Sequence, residues 1–316
     1  MIEFGKRKIG IMIITVLTPS FNRKKKLEKL YSSLCNQKSQ SFEWLIIDDG
    51  STDDTKALVD SWRDTAPFSI KYVNKENGGK HTALNLGISM ISSELTFIVD
   101  SDDYLTENAI ETILEFHEKY KDRIESEKLC GYSFLRAYSD GMVNTGKYPV
   151  DEVIDTFRQQ RINNNLLGDK AEVYYTKILK QFPFEVFEGE KFMPEDAVWL
   201  KMSGPYNMVH ANRVIYICDY LEGGLTKTGR KMKIYSPYGM MYRSAVYLND
   251  PDVKLKVKMK MMILYHIYLR FANRLDAQNE IASQVKNEKR EKCKICRNWL
   301  FYVTMLPAYI LSLRWK

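Results

Sequence analysis

Cysteine is scarce in this sequence: five among 316 residues, at positions 35, 130, 218, 293 and 296. That number and scatter exclude a disulfide scaffold and point to a reducing compartment. Cys293 and Cys296 form a lone CxxC without a second pair or a nearby histidine, so they read as two positions on one helix face. Long apolar runs are missing too. Trp299 to Leu313 is 15 residues without a charge, and at about 1.5 Å per helical residue it falls short of a roughly 30 Å hydrocarbon core. It is not expected to span a bilayer. There is no internal repeat and no low-complexity segment, and 45% apolar residues suffice for a core of one large domain or two modest ones.

The opening MIEFGKRKIGIMIITVLTPS has a basic start and an apolar run, as a signal peptide does. However, Ile9 to Leu17 is short, lacks a small-residue cleavage site and leads into TPSFNR. It reads as the first core strand, and the chain is expected to stay in the cytoplasm. The net charge of +7 hides an asymmetry. Residues 223–316 hold 19 Lys and Arg against 6 Asp and Glu, a balance of +13, whereas residues 1–222 hold 28 against 34, a balance of −6. An acidic front joined to a basic rear suggests a site that uses carboxylates and a surface attracted to phosphates or anionic lipid.

Strand-like and helical patterns alternate through the first hundred residues. IMIITVL (11–17), FEWLIID (42–48), SIKYVNK (69–75) and LTFIVD (95–100) read as strands. Helices are expected over Lys24–Cys35, Asp53–Trp62 and about Lys80–Ile91. This rhythm predicts an α/β fold with a mostly parallel sheet flanked by helices, in which ligands bind at the carboxyl ends of strands. A helix over Thr106–Lys121, a strand over 131–138, a helix over 168–182, a helix opening at PEDAVW (194–199) and a strand over 207–220 follow. The rear is helical, basic and rich in Met and Tyr.

The turns after the four strands are TPSFN, DDGSTDD, NKENGGK and DSDD. A sheet needs turns there, but it does not need Asp48, Asp49, Asp100, Asp102 and Asp103 gathered where their repulsion raises pKa values or destabilises the fold. A cation resolves the conflict, and paired carboxylates at a strand end offer oxygens to Mg²⁺ or Mn²⁺.

ITVLTPSFNR, LIIDDGSTDDT, NGGKHTALNLGI and FIVDSDD occur in the order and spacing of family 2 glycosyltransferases, which have the GT-A fold. The resemblance covers about residues 12–220. It implies a GT-A catalytic domain over 1–222, with its nucleotide-sugar part at about 12–104 and its acceptor side at about 105–222, then a basic helical region over 223–316. It implies an inverting, metal-dependent transfer from a nucleotide-sugar, most often UDP-linked, in cell-surface polysaccharide or glycoconjugate synthesis. Pro19 and Phe21 would lie against the base with Asn22 supporting the turn. Asp49 would accept from the base, with Asp48 behind it and Asp53 capping the next helix. Asp100 would face the ribose or metal shell, Asp102 would be the principal Mn²⁺ or Mg²⁺ ligand, and Asp103 either a further ligand or a turn residue. Lys80 or His81 reads either as approaching the diphosphate or as part of a solvated helix face; many relatives place an Arg deeper in this helix, where this chain has Leu84 before Asn85.

Glycosyl transfer with inversion needs a carboxylate to take the acceptor hydroxyl's proton. PEDAVW matches the family's acidic motif, which assigns the base to Asp196 with Glu195 as the alternative. LEGGLTKTGRK (221–231) reads either as a hinged segment closing over the donor, with Lys227 and Arg230 at the diphosphate, or as a plain linker. In the rear, Trp299, Tyr302, Tyr309 and Trp315 beside Arg297, Arg314 and Lys316 suit a helix lying at a membrane surface, on the inner face of the cell membrane. The bland alternative is packing on the catalytic domain. The aromatics are not interleaved with cations as base stacking requires, so nucleic acid is not an expected partner. The expected partners are a nucleotide-sugar and a saccharide acceptor, which is often lipid-linked in this family. A nucleotidyltransferase or a silent nucleotide-binding scaffold are the competing classes.

Overall fold

The computed structural model describes residues 13–144, 146–166, 168–218, 225–278 and 299–313. The alternation in the front half folds as β1 (Ile14–Ser20), α1 (Lys24–Cys35), β2 (Phe42–Asp48), α2 (Thr55–Trp62), β3 (Ser69–Asn74), α3 (Lys80–Met90) and β4 (Leu95–Ile98). Every residue of β1, β2 and β4 is buried, as strands covered on both faces must be. β1 pairs in parallel with β2, from Ile14 opposite Phe42 to Ser20 opposite Asp48, and in parallel with β4 on its other side. β2 pairs in parallel with β3. The order β3-β2-β1-β4 therefore reverses its winding between β1 and β4, the place where open α/β sheets bind ligands. Helix α3 lies close on this unit: a Cβ at Gly87 would sit 2.4 Å from Leu17 Cδ1.

Beyond β4 come β5 (Tyr104–Leu105), α4 (Ala109–Tyr120), β6 (Leu129–Ala137), β7 (Val153–Asp155), β8 (Ala171–Tyr175), the one-turn α5 (Thr176–Leu179), α6 (Asp196–Met202) and β9 (Asn207–Ile217). The sheet continues β4-β8-β6-β9-β5, with β7 on β9. β8 runs antiparallel to both β4 and β6, while β6 and β9 are parallel. The sheet is thus parallel over β3-β2-β1-β4 and mixed beyond β4.

The expected helix over 168–182 is not what forms. AEVYY forms β8 and only Thr176–Leu179 is helical. Val173, Tyr174 and Tyr175 are β-branched or aromatic and buried, side chains that fit a pleated surface wedged between two strands. The helix expected from Asp53 begins at Thr55.

Four helices complete the described chain: α7 (Leu225–Ile234), α8 (Pro237–Asn249), α9 (Leu255–Gln278) and α10 (Trp299–Leu313). Pro237 opens α8, where its missing N–H costs nothing. Leu200 of α6 packs in one apolar cluster with Tyr247 of α8 and Met261 of α9, and fully burying such a side chain contributes roughly 1.5–3 kcal/mol. The rear helices therefore pack on the front half through α6. The readings that involve Gly223 and Gly224, the Lys227 side chain, Cys293, Cys296, Arg297, Arg314, Trp315 and Lys316 lie outside the described residues. Among the described residues, no helix is long and apolar enough to cross a membrane.

Gly131 of β6 has φ +154°, and a Cβ there would stand 1.9 Å from the carbonyl oxygen of Val173 in β8. Gly131→Ala is expected to cost about 1–3 kcal/mol in urea unfolding. A variant as stable as the parent would contradict the strand assignment at 171–175.

Candidate active site

The aspartates that crowd the strand ends are mostly consumed in building the turns. Asp48 Oδ1 accepts from Ser51 N at 2.7 Å, and its Oδ2 accepts from the Tyr72 hydroxyl. Asp49, only 3% exposed, accepts from Lys75 Nζ at 2.7 Å and Gly78 N at 2.9 Å on Oδ1. Its Oδ2 accepts from Gly79 N at 2.7 Å and Asn77 Nδ2 at 3.1 Å. Asp53 joins two helix starts, accepting from Lys24 N and Thr55 N, each at 3.2 Å. Each of these carboxylates receives backbone donors or a lysine, which offsets the repulsion between them.

Asn22 supports the first turn. With φ +51° it donates its N–H to Ser51 Oγ at 2.8 Å and accepts from Thr52 N at 2.8 Å. Pro19 is buried within β1 opposite Ile47, whereas the Phe21 ring beyond the strand is 45% exposed. At the reversal between β1 and β4, Arg23 faces Asp102, 3.8 Å apart.

Lys80 opens α3 and joins two distant segments. Its Nζ lies 2.5 Å from Asp100 Oδ1 and 2.7 Å from Glu195 Oε1. Burial works to lower the ammonium pKa, but the two carboxylates raise it, and Lys80 stays charged. Burial works to raise Asp100; Lys80 and Arg136 override it and hold the carboxyl below the usual range. Glu195 is brought there by a stitched loop: Asn85 of α3 exchanges two 2.8 Å hydrogen bonds with the Phe184 backbone, and Lys191 Nζ donates to Asn77 Oδ1 at 2.6 Å. Gly79 must be glycine here, since φ is +94° and a Cβ would meet Lys191 O at 2.1 Å. His81 is buried without a partner for Nδ1, and burial holds its pKa down.

Lys80, Asp100 and Glu195 line a recess together with Arg136, Glu172 and Tyr174. Arg136 lies over the Tyr216 ring at 4.0 Å and donates from Nε to Lys170 O at 2.8 Å. Burial lifts Glu172 to about 7 against the pull of Arg161, whose NH1 is 3.2 Å away. The buried Tyr174 hydroxyl has no hydrogen-bond partner.

The expected trio of Asp100, Asp102 and Asp103 does not converge. Asp100 faces Lys80, Asp102 faces Arg23, and Asp103 accepts from the Tyr216 hydroxyl at 2.8 Å. Burial and the neighbouring Asp100 charge push Asp103 up to about 7. Among the described residues, no three His, Cys, Asp or Glu side chains are grouped to hold a metal ion.

Glu195 and Asp196 also part company. Asp196 turns to α8, where Arg243 Nε approaches its two oxygens at 2.7 and 2.8 Å and NH2 reaches Oδ2 at 2.5 Å. The Tyr247 hydroxyl adds a 2.7 Å bond to Oδ2. Burial works to raise this carboxyl, and Arg243 overrides it, leaving the pKa lowered. Sequence reasoning did not single out Arg136, Glu172, Arg243 or Tyr247. Arg243 and Arg136 did leave a signal: each is the one charge in its otherwise uncharged helix or strand.

Comparison with known proteins places this geometry in a class. Residues 15–126 match the pattern of Glycosyl transferase family 2. The chain is 30% identical over 226 residues to Glycosyltransferase GlyG of Streptococcus pneumoniae, which spans 68% of this chain and 73% of GlyG. It is 23% identical over 189 residues to the poly(ribitol-phosphate) beta-N-acetylglucosaminyltransferase TarS of Staphylococcus aureus, spanning 58% of this chain but 33% of TarS. The crystal structure of TarS 1-349 in complex with UDP superposes with a TM-score of 0.56 at 20% identity, over 84% of this chain and 72% of that one. The mannosyltransferase PcManGT from Pyrobaculum calidifontis, solved with GDP-Man and Mn²⁺, gives 0.57 at 16% identity over 95% and 86%. At these identities the superpositions show the shared GT-A fold. The chain belongs to glycosyltransferase family 2.

Arg243→Met is expected to destabilise the protein by about 1–3 kcal/mol at neutral pH, because it strands a partly buried carboxylate. The folded Asp196 pKa lies below its unfolded value. Its stabilisation is therefore present above the unfolded carboxylate range and is lost as pH falls through the folded value. Urea unfolding across that range should show the gap between parent and variant closing toward acid. A gap that is constant with pH would contradict the clamp.

Proposed function

We propose that this chain transfers a sugar from a nucleotide-sugar, UDP-linked, to a hydroxyl of a saccharide acceptor with inversion at the anomeric carbon, in cell-surface polymer synthesis. The observation that carries the reading is Lys80, which holds the end of β4 and the start of α6 on one ammonium at the N-terminus of α3. A helix N-terminus with an adjacent lysine suits a diphosphate. Arg23, across the β1–β4 crevice, supplies a second cation. Phe21, exposed at the end of β1, offers a face for the base.

The donor chemistry at Asp100 and Asp102 fits a hard divalent ion that takes one or two carboxylates and completes its shell from waters and substrate phosphates. Asp103 fits that role poorly, since Tyr216 bonds its Oδ2 and burial favours its protonated form. A bound Mn²⁺ or Mg²⁺ would neutralise charge on the departing diphosphate. The chain's own groups handle the rest. The acceptor oxygen bonds to the anomeric carbon as the bond to the diphosphate oxygen breaks, and its proton passes to a carboxylate.

We assign that proton to Asp196, which Arg243 and Tyr247 keep ionised and fixed, and give Glu195 the positioning of Lys80. The setting in cell-surface polymer synthesis is drawn by analogy with TarS, whose name specifies poly(ribitol-phosphate).

Calorimetry with UDP and Mn²⁺ should show binding that survives Asp196→Asn. The same substitution should lower transfer by about 10²–10⁴-fold. Glu195→Gln should instead weaken donor binding. Absence of UDP binding with metal would refute the reading, and full transfer by Asp196→Asn alongside an inactive Glu195→Gln would exchange the two roles.

A further inference from the structure

Helix α10 carries its large apolar side chains on the outside. Between Tyr302 and Ser312 it buries Thr304, Ala308 and Ser312, one stripe at four-residue spacing, and exposes every other residue. Tyr302 and Leu306 are 67% and 68% exposed, and Val303, Met305, Tyr309 and Ile310 are each at least half exposed. A surface helix in water shows the reverse pattern. Small residues toward a neighbouring helix with large apolar ones outward is the packing of helices surrounded by hydrocarbon. The orientation is anchored: Arg270 of α9 donates from NH1 to Ser312 Oγ at 2.7 Å and lies over the Tyr309 ring at 4.4 Å.

The same character extends along the rear helices. Of the fifteen large apolar side chains exposed among the described residues, ten lie at or beyond Tyr235, so the exposure is concentrated in the basic region. Tyr235 follows the exposed Lys231 and Lys233 in sequence, and Leu255 and Met259 alternate with the exposed Lys256 and Lys260. Apolar anchors beside lysines suit an interface whose depth is hydrocarbon and whose headgroups are anionic.

We propose that α10, with the lysine-flanked apolar residues of α7 and α9, is a membrane-binding face that seats this chain on an anionic lipid bilayer, α10 lying in the interface plane. Its 15 residues are too short to cross. A second copy on this face would set one region of +13 against another, whereas anionic lipid complements it. The inference is independent of the donor and base assignments above.

Flotation of the full chain with phosphatidylcholine vesicles, with and without phosphatidylglycerol, tests it. The chain should float only with the anionic vesicles, and added salt should weaken the association. Leu306→Glu combined with Ile310→Glu should cut the bound fraction about tenfold, with an unchanged unfolding transition showing that the fold is intact. Lys256→Glu with Lys260→Glu should also reduce binding. The proposal fails if the chain stays in solution with both vesicle types, if it binds both equally, or if the α10 variant floats like the parent. It fails equally if sedimentation finds a dimer that the α10 variant dissociates while the parent ignores lipid.

Discussion

Negative charge gathered at the carboxyl ends of parallel strands has to be balanced, and in this protein the balance is struck by short, directed contacts. Two unit charges about 4 Å apart interact by about 4 kcal/mol at an effective dielectric of 20, so an uncompensated cluster of aspartates would unfold the edge it sits on. Asp48, Asp49 and Asp53 are stabilised by backbone N–H groups and Lys75. Asp100 is handled differently: its neutralising cation, Lys80, is shared with Glu195 from another part of the chain. The same contact that relieves repulsion at β4 brings the start of α6 to the end of that strand.

That arrangement ties the basic rear to the acidic front. Glu190, in the loop before α6, accepts from Tyr238 N and Gly239 N at the start of α8, both at 2.7 Å. α8 in turn returns Arg243 and Tyr247 to Asp196. The composition changes near residue 222, but the carboxylate we assign as proton acceptor is held by residues on the far side of that change. Helices that present an apolar face outward through α10 thus hold the proposed proton acceptor through α8. Surface attachment and catalysis would share one set of packed helices, α8 and α10 both lying on α9.

Much of the front of the chain, from β1 to β4, was legible in the sequence because local rules and the fold agree there. FEWLIID and KKKLEKLYSSLC form the strand and helix their patterns dictate, and the turn residues between them occupy turns. The helix expected over 168–182 failed because AEVYY is wedged between β4 and β6, a tertiary constraint that periodicity does not carry. The carboxylates were found, but their partners were not. Asp49 reads in sequence as an available acceptor, yet both of its oxygens are filled by Lys75, Asn77, Gly78 and Gly79. Adjacent Glu195 and Asp196 look interchangeable on paper, and only the fold shows that one meets α3 and the other α8. A solitary arginine in an apolar element, such as Arg136 or Arg243, is the clue that could have exposed these pairings.

The central claim is that Lys80, Asp100 and Glu195 form the hub of a donor site rather than a purely structural ion pair. A crystal structure of the protein with UDP and Mn²⁺ tests it most directly. The diphosphate is expected at the start of α3 beside Lys80 and Arg23, with manganese bonded by Asp102 or Asp100 and the uracil ring against Phe21. Nucleotide bound elsewhere, or manganese held by neither carboxylate, would contradict it.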